Sequence, residues 1–336
     1  MLNSKKEKGL FIISAFCLVM LVLSLISLSI GNVRIPISEV FLTLIGQNTG
    51  SSEVVIKEFR LPRIVAALLI GAALAISGAL LQGVIRNPLA SPDLLGVTGG
   101  ASVAVVSFMT LSAGAFSIHW VPVIAIVGAF AAATLNYVLA WKRGVSPFRL
   151  VLIGIGISTA MGALTTFLLI SGPAYMASQV LNWITGSIYG TSWSYVATLF
   201  PWVALLFPLS LYFSRELNVL SLGEATAVGL GLRLQFNRFI LLAISVSLAG
   251  AAVGVAGTLS FIGLIAPHMG RKLVGTSYKL LLPVSAVLGA IILLLADLAG
   301  RMLFQPMDIP AGVFTAGIGA PFFMYLLYRG KTLNRK

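Results

Sequence analysis

Long apolar runs alternate with short polar breaks along the whole chain. Runs long enough to cross a bilayer cover 10–30, 62–83, 94–113, 119–141, 147–170, 194–213, 238–257, 280–300 and 310–328, since about 20 apolar residues suffice for a helix to cross. A tenth run, 259–274, is short and broken by Pro267, and the piece 178–189 (SQVLNWITGSIY) reads as a re-entrant or interfacial helix. Backbone in hydrocarbon must satisfy its own hydrogen bonds, so spans this apolar are helices. The pattern predicts an all-α, polytopic membrane bundle of about ten transmembrane helices, one domain over 1–336. The first run follows Lys5, Lys6 and Lys8 and extends from Leu10 to Ile30 without a small-residue cleavage site, so it reads as a retained span and not a signal peptide.

Composition supports lipid as the solvent. The 336 residues are 58% hydrophobic and 9% charged, with mean hydropathy +1.03, whereas soluble domains carry about 25% charged residues. The net charge of +13 comes from bases that punctuate the apolar runs and gather on no single face, which argues against a nucleic-acid partner. With the N-terminus inside and ten spans, 17 of the 22 Lys and Arg residues fall on the cytoplasmic side; Arg34, Lys57, Arg60, Arg63 and Arg301 fall outside. That bias places both termini in the cytoplasm, together with the turn RNPLASPDLLG after the second span. The lone Cys17 can form no internal disulfide.

Small residues recur at every fourth position in the second span (Gly71, Ala75, Ala79, Gly83), a spacing that lets helices approach closely in lipid. GAALAISGAL (71–80) and GAAVGVAGTL (250–259) share GAA-x4-G-x-L, each followed at the same offset by a proline, Pro88 and Pro267. Because the two segments cross in opposite directions, they suggest an inverted repeat.

Catalytic signatures are missing. The sequence contains no G-x-x-x-x-G-K-[ST], no H-E-x-x-H and no G-x-S-x-G, and His119 and His268 lie on different spans. No catalytic or metal-ligating residue is predicted. Asp297 is the one acid deep in a span. Arg301 follows four residues later, in the order that favours a structural ion pair. The loop 214–238 contains SLGEATAVGLGL, in which Ser221 and Glu224 have the spacing of a capping box. It predicts a short helix ended by Gly229 and Gly231, either a docking knob for a cytoplasmic partner or a helix lying in the headgroups.

The segments RLPRIVAALLIGAALAISGALLQGVIRNPLASPDLLGV, LSLGEATAVGLG, GTLSFIGLIAPHMGRKLVG, LLLADLAGR and IPAGVFTAGIGAPFF resemble, in order and over nearly the whole chain, the permease family of ATP-driven importers for iron–siderophore, haem and vitamin B12, the FecCD/BtuC-like type II importer permeases. The resemblance implies a non-enzymatic subunit in a bacterial plasma membrane, paired with a second, identical or homologous permease. It also implies two cytoplasmic ATPase subunits that bind ATP and Mg, with no cofactor on this chain, and an extracytoplasmic binding protein. On the matching positions, Arg60, Arg63 and Arg301 would dock the binding protein. Ser221, Gly223, Glu224, Ala227 and Gly231 would form the helix that seats in the ATPase. Asn87 and Leu89, with Ser146 and Pro147, would gate the cytoplasmic mouth. An iron(III)–siderophore complex is the expected cargo, with haem or vitamin B12 as the alternative. A proton- or sodium-coupled transporter is the rival class, and it would need several intramembrane acids.

Overall fold

The computed structural model describes residues 2–333 apart from 32, 48–49, 113–116, 118–119 and 305–306. His119, Arg335 and Lys336 lie outside the described residues. The helices are α1 (Leu2–Ser29), α2 (Ile37–Leu44), α3 (Ser51–Val54), α4 (Leu61–Ile85), α5 (Val97–Ser112), α6 (Val121–Ala140), α7 (Pro147–Ser171), α8 (Ala177–Ile184), α9 (Trp193–Tyr212), α10 (Ser214–Ser221), α11 (Glu224–Gly229), α12 (Leu234–Ala256), α13 (Ile262–Val274), α14 (Tyr278–Met302) and α15 (Ala311–Leu333). A wide-turn segment, Val55–Arg60, joins α3 to α4.

Ten of these helices coincide with the ten apolar runs, and α8 falls in the expected re-entrant piece. Among the described residues, seven helices are long and apolar enough to cross a membrane by themselves: α1, the continuous α3–α4 rod, α6, α7, α9, α12 and α14. The apolar parts of α5 and α15 are shorter. The 13-residue α13 packs against α14, α4, α1 and α15, so protein covers most of it.

Helices α4, α12 and α14 are largely buried, whereas few residues of α1 and α7 are. Small residues set this centre, because without a hydrophobic force between helices in lipid, association depends on close backbone approach. A Cβ at Gly78 would collide with the Gly263 carbonyl of α13, and one at Gly71 with the Gly289 carbonyl of α14. Hydroxyls add specificity: Ser77 Oγ donates to the Ser245 carbonyl at 2.7 Å, and Ser245 Oγ returns a bond to the Ser77 carbonyl at 2.9 Å.

Arg86, which ends α4, reaches Glu224 just ahead of α12, so α4 and α12 run antiparallel, as an inverted repeat requires. The proline offsets do not mark equivalent elements: Pro88 lies in a turn and Pro267 inside α13. Helix α12 begins at Leu234, four residues before the expected start, because the preceding loop is itself folded into α10 and α11. Arg238 therefore sits inside a helix and is 1% exposed.

Candidate functional site

The chemistry gathers at the two ends of the bundle. At one end the α3–α4 rod meets the end of α14. Arg63 Nε and Nη2 donate to Asp297 Oδ1 at 2.9 and 2.7 Å, and Arg63 Nη1 and Nη2 donate to Asp308 Oδ2 and Oδ1 at 2.7 and 2.9 Å. The guanidinium lies 5.7 Å from the ring centre of Tyr189. Arg301 Nε approaches Asp297 Oδ2 at 3.2 Å, and its Nη2 donates to Ser27 Oγ at 2.5 Å. The expected Asp297–Arg301 pair is thus present, within a larger network. Arg60 turns inward instead: its two terminal nitrogens donate to the Leu28 and Val33 carbonyls at and just past the end of α1, and the residue is 7% exposed. Its terminal nitrogens thus hold the turn after α1, at the edge of the cleft. All three arginines and Asp308 line a cleft of about 250 Å3.

At the other end lie the remaining predicted site residues. Asn87 Oδ1 accepts from the Leu89 N–H at 2.9 Å, closing a turn that starts at Arg86, whose φ of 56° is left-handed. Ser146 caps α7, its Oγ accepting from Arg149 N at 3.3 Å, and Pro147 occupies the first helical position, where its missing N–H costs nothing. The capping box is not formed. Ser221 closes α10 with its hydroxyl bonded to the Asn218 carbonyl at 2.6 Å. Gly223, with φ 112° and ψ 156°, separates it from α11 in a conformation open to glycine. Glu224 points the other way, its Oε1 accepting from Arg238 Nη2 at 2.9 Å and from Arg86 Nη2 at 3.3 Å. Ala227 is fully buried on the inner side of α11, while Leu222, Val228 and Leu230 are exposed around it. Gly231, at φ 82°, turns the chain toward α12.

Between the ends, an open cavity of about 570 Å3 runs beside α5, α7 and α8. Hydroxyls dominate its polar lining: Thr98, Ser102, Thr165, Thr166, Thr258 and Ser260, with the Asp93 carboxyl. Burial pushes the Asp93 carboxyl up, partly opposed by hydrogen bonds from Thr98 and Ser91. Among the described residues, no group of three or more His, Cys, Asp or Glu side chains is placed to hold a metal ion.

Residues 19–329 match the FecCD transport family. The chain belongs to that family. This FecCD protein is 49% identical over 310 residues to the Probable siderophore transport system permease protein YfhA of Bacillus subtilis (strain 168), covering 91% of this chain and 90% of the relative. It is 40% identical to the Iron(3+)-hydroxamate import system permease protein FhuG of the same organism, covering 98% and 99%. It is 43% identical to the Fe(3+) dicitrate transport system permease protein FecD of Escherichia coli (strain K12), covering 82% and 85%. A solved structure described as an inward-facing conformation of a metal-chelate type ABC transporter superposes with a TM-score of 0.85 at 32% identity, covering 95% of this chain and 99% of that one. This FecCD protein is therefore a multi-pass membrane permease.

Three participants were not among the expected site residues: Asp308, Arg238 and Gln235, whose Oε1 accepts from the Val145 N–H at 3.0 Å. Asp308 lies in a polar connection with no pattern to mark it. Gln235 and Arg238 read as loop residues beside an apolar run, and their spacing of three, one turn of α12, is the signal that places them on one helical face.

Proposed function

We propose that this chain is the membrane-spanning permease subunit of an ATP-driven bacterial importer that moves an iron(III)–siderophore complex into the cytoplasm. The carrying observation is its near full-length relationship to permeases named for siderophore, hydroxamate and citrate complexes of iron. ATP and Mg would bind two partner ATPase subunits, since this chain has no phosphate-binding loop. The Glu224 end, with its exposed Leu222, Val228 and Leu230, would face the cytoplasm and seat in the ATPase, with Asn87, Leu89, Ser146 and Pro147 at the mouth of the path. Both termini lie on that side, as the Lys and Arg bias requires.

The Arg63 end would receive an extracytoplasmic binding protein. Arg63 and Arg301 would meet its acidic groups, with Arg60 anchoring the turn beneath. A second permease subunit, identical or homologous, would pack on α7, which exposes Gly156, Thr159, Ala160, Gly162, Ala163 and Thr166. Lipid gains little from such a face, whereas a partner helix can approach it closely. Haem or vitamin B12 is the alternative cargo. Ion coupling is disfavoured because Asp297, the acid a proton would need, is held between two arginines.

Uptake of iron-55, supplied as a trihydroxamate complex, into vesicles carrying the full complex tests this reading. Accumulation should require ATP and survive a proton uncoupler. Accumulation that continues without ATP and collapses with the uncoupler would refute it.

A further inference from the structure

Glu224 of α11 and the turn at Val145 are far apart in sequence yet meet on one buried guanidinium, and Arg86 reaches the same Glu224 oxygen from the other mouth turn. Arg238 sits in the second turn of α12, 1% exposed. Its Nη2 donates to Glu224 Oε1 at 2.9 Å, and its Nη1 donates to the Val145 carbonyl, next to Ser146. One turn earlier, Gln235 Oε1 accepts from the Val145 N–H at 3.0 Å. Both backbone polar groups of Val145 are thus held by the start of α12. The Glu224 oxygen that faces Arg238 also accepts from Arg86, the residue before Asn87.

We propose that Arg238 is the positioning residue that locks α11 to the 145–147 turn, so that a displacement of α11 moves that turn with it, while the 86–89 turn is tied to α11 by the separate Arg86–Glu224 contact. The reason is electrostatic. A guanidinium removed from water needs its counter-charge, and losing that partner is far more costly than losing a surface ion pair. Glu224 is the only carboxylate in salt-bridge contact with Arg238 among the described residues. It sits on a short helix, half-exposed, where an outside subunit can push. If α11 moved alone, Arg238 would be left buried and unpaired. The lower-energy response is for α12's first turns to follow, and Val145 is bonded to them. The Arg86 contact is longer and more exposed, so the 86–89 turn follows less tightly.

This inference rests on the proposed coupling of α11 to an ATPase, and the test separates the two. In the complete complex, on a Cys17→Ser background, spin labels at the exposed positions Thr226 and Arg143 report the separation of α11 from the α6–α7 turn. Measurements compare the nucleotide-free state with the state trapped by ATP and vanadate. With Arg238 present the separation should stay constant while both labels move relative to a third on α1. In Arg238→Gln it should change by at least about 2 Å between states, and stimulation of ATP hydrolysis by loaded binding protein should fall about fivefold or more. Arg238→Lys, which keeps one charge but not the two-pronged grip, should lie between, and it serves if the Gln variant fails to assemble. Unaltered separations and stimulation in these variants would overturn the lock. If no label in the wild-type complex responds to nucleotide, the coupling reading itself falls.

Discussion

Asp297 and Asp308 bind the same guanidinium at the same shortest distance, 2.7 Å, yet should differ widely in what they contribute. Asp297 is 1% exposed and faces Arg63 and Arg301, which are 11% and 10% exposed. Asp308 is 25% exposed, and among the described residues its only ion pair at contact distance is with Arg63. Coulomb's law at equal distance does not separate them; solvent does. In Asp297→Asn two poorly hydrated arginines lose their shared counter-charge, a loss of about 3–5 kcal/mol for a buried pair. That lowers the folded-to-unfolded ratio about a hundredfold or more. In Asp308→Asn water replaces much of what is lost, and the cost should be about 1 kcal/mol or less. Heating the purified protein in detergent and following the decay of the monodisperse size-exclusion peak reads both. The Asp297 variant should lose its peak well below the wild type, with the Asp308 variant close to it. Equal midpoints for the two variants, or a larger drop for Asp308→Asn, would refute the assignment of the buried pair as the structural one.

At the α4–α13 contact, Gly78→Leu drives a side chain into the Gly263 backbone and should destabilise by about 3 kcal/mol or more, whereas Gly162→Leu, whose Cβ would meet no atom within 4 Å, should leave the single subunit about as stable as before and weaken its pairing with the second permease, seen by cross-linking. Asp93 binds its proton more readily folded than unfolded, so its contribution to stability falls as pH rises above the usual carboxylate range and levels off past the raised value; Asp93→Asn should remove that slope and raise stability at neutral pH, measured by melting in detergent across pH. Arg63→Gln and Arg301→Gln, in preparations that keep a monodisperse size-exclusion peak, should weaken binding-protein docking in a salt-sensitive way in surface-binding measurements, and docking unchanged at low salt would leave these arginines a purely internal role.

The spans were legible because hydrocarbon imposes a length and forbids unsatisfied backbone, so a run such as 147–170 has one stable outcome, and α7 (Pro147–Ser171) matches it closely. The Asp297–Arg301 pair was legible for a similar reason, since a four-residue spacing on a helix places two side chains on one face. Site partners joined across long sequence distance were not. Arg63 reaches Asp308, 245 residues away, and Arg238 reaches Val145, 93 residues away; no local period encodes such contacts, and only the helix packing brings them together. The capping box shows the converse: Ser221 and Glu224 have the right spacing, but Gly223 breaks the helix between them and Arg238 offers Glu224 a charged partner that a backbone N–H cannot match. The amino-acid order by itself therefore determined which stretches are apolar and long enough to form the bundle's helices and which polar turns separate them. The tertiary structure alone decided which arginines are spent inside the protein, which carboxylates they meet, and how the loop helix is tied to the turns beside it, because those choices depend on burial and on distances between helices that sequence spacing does not carry.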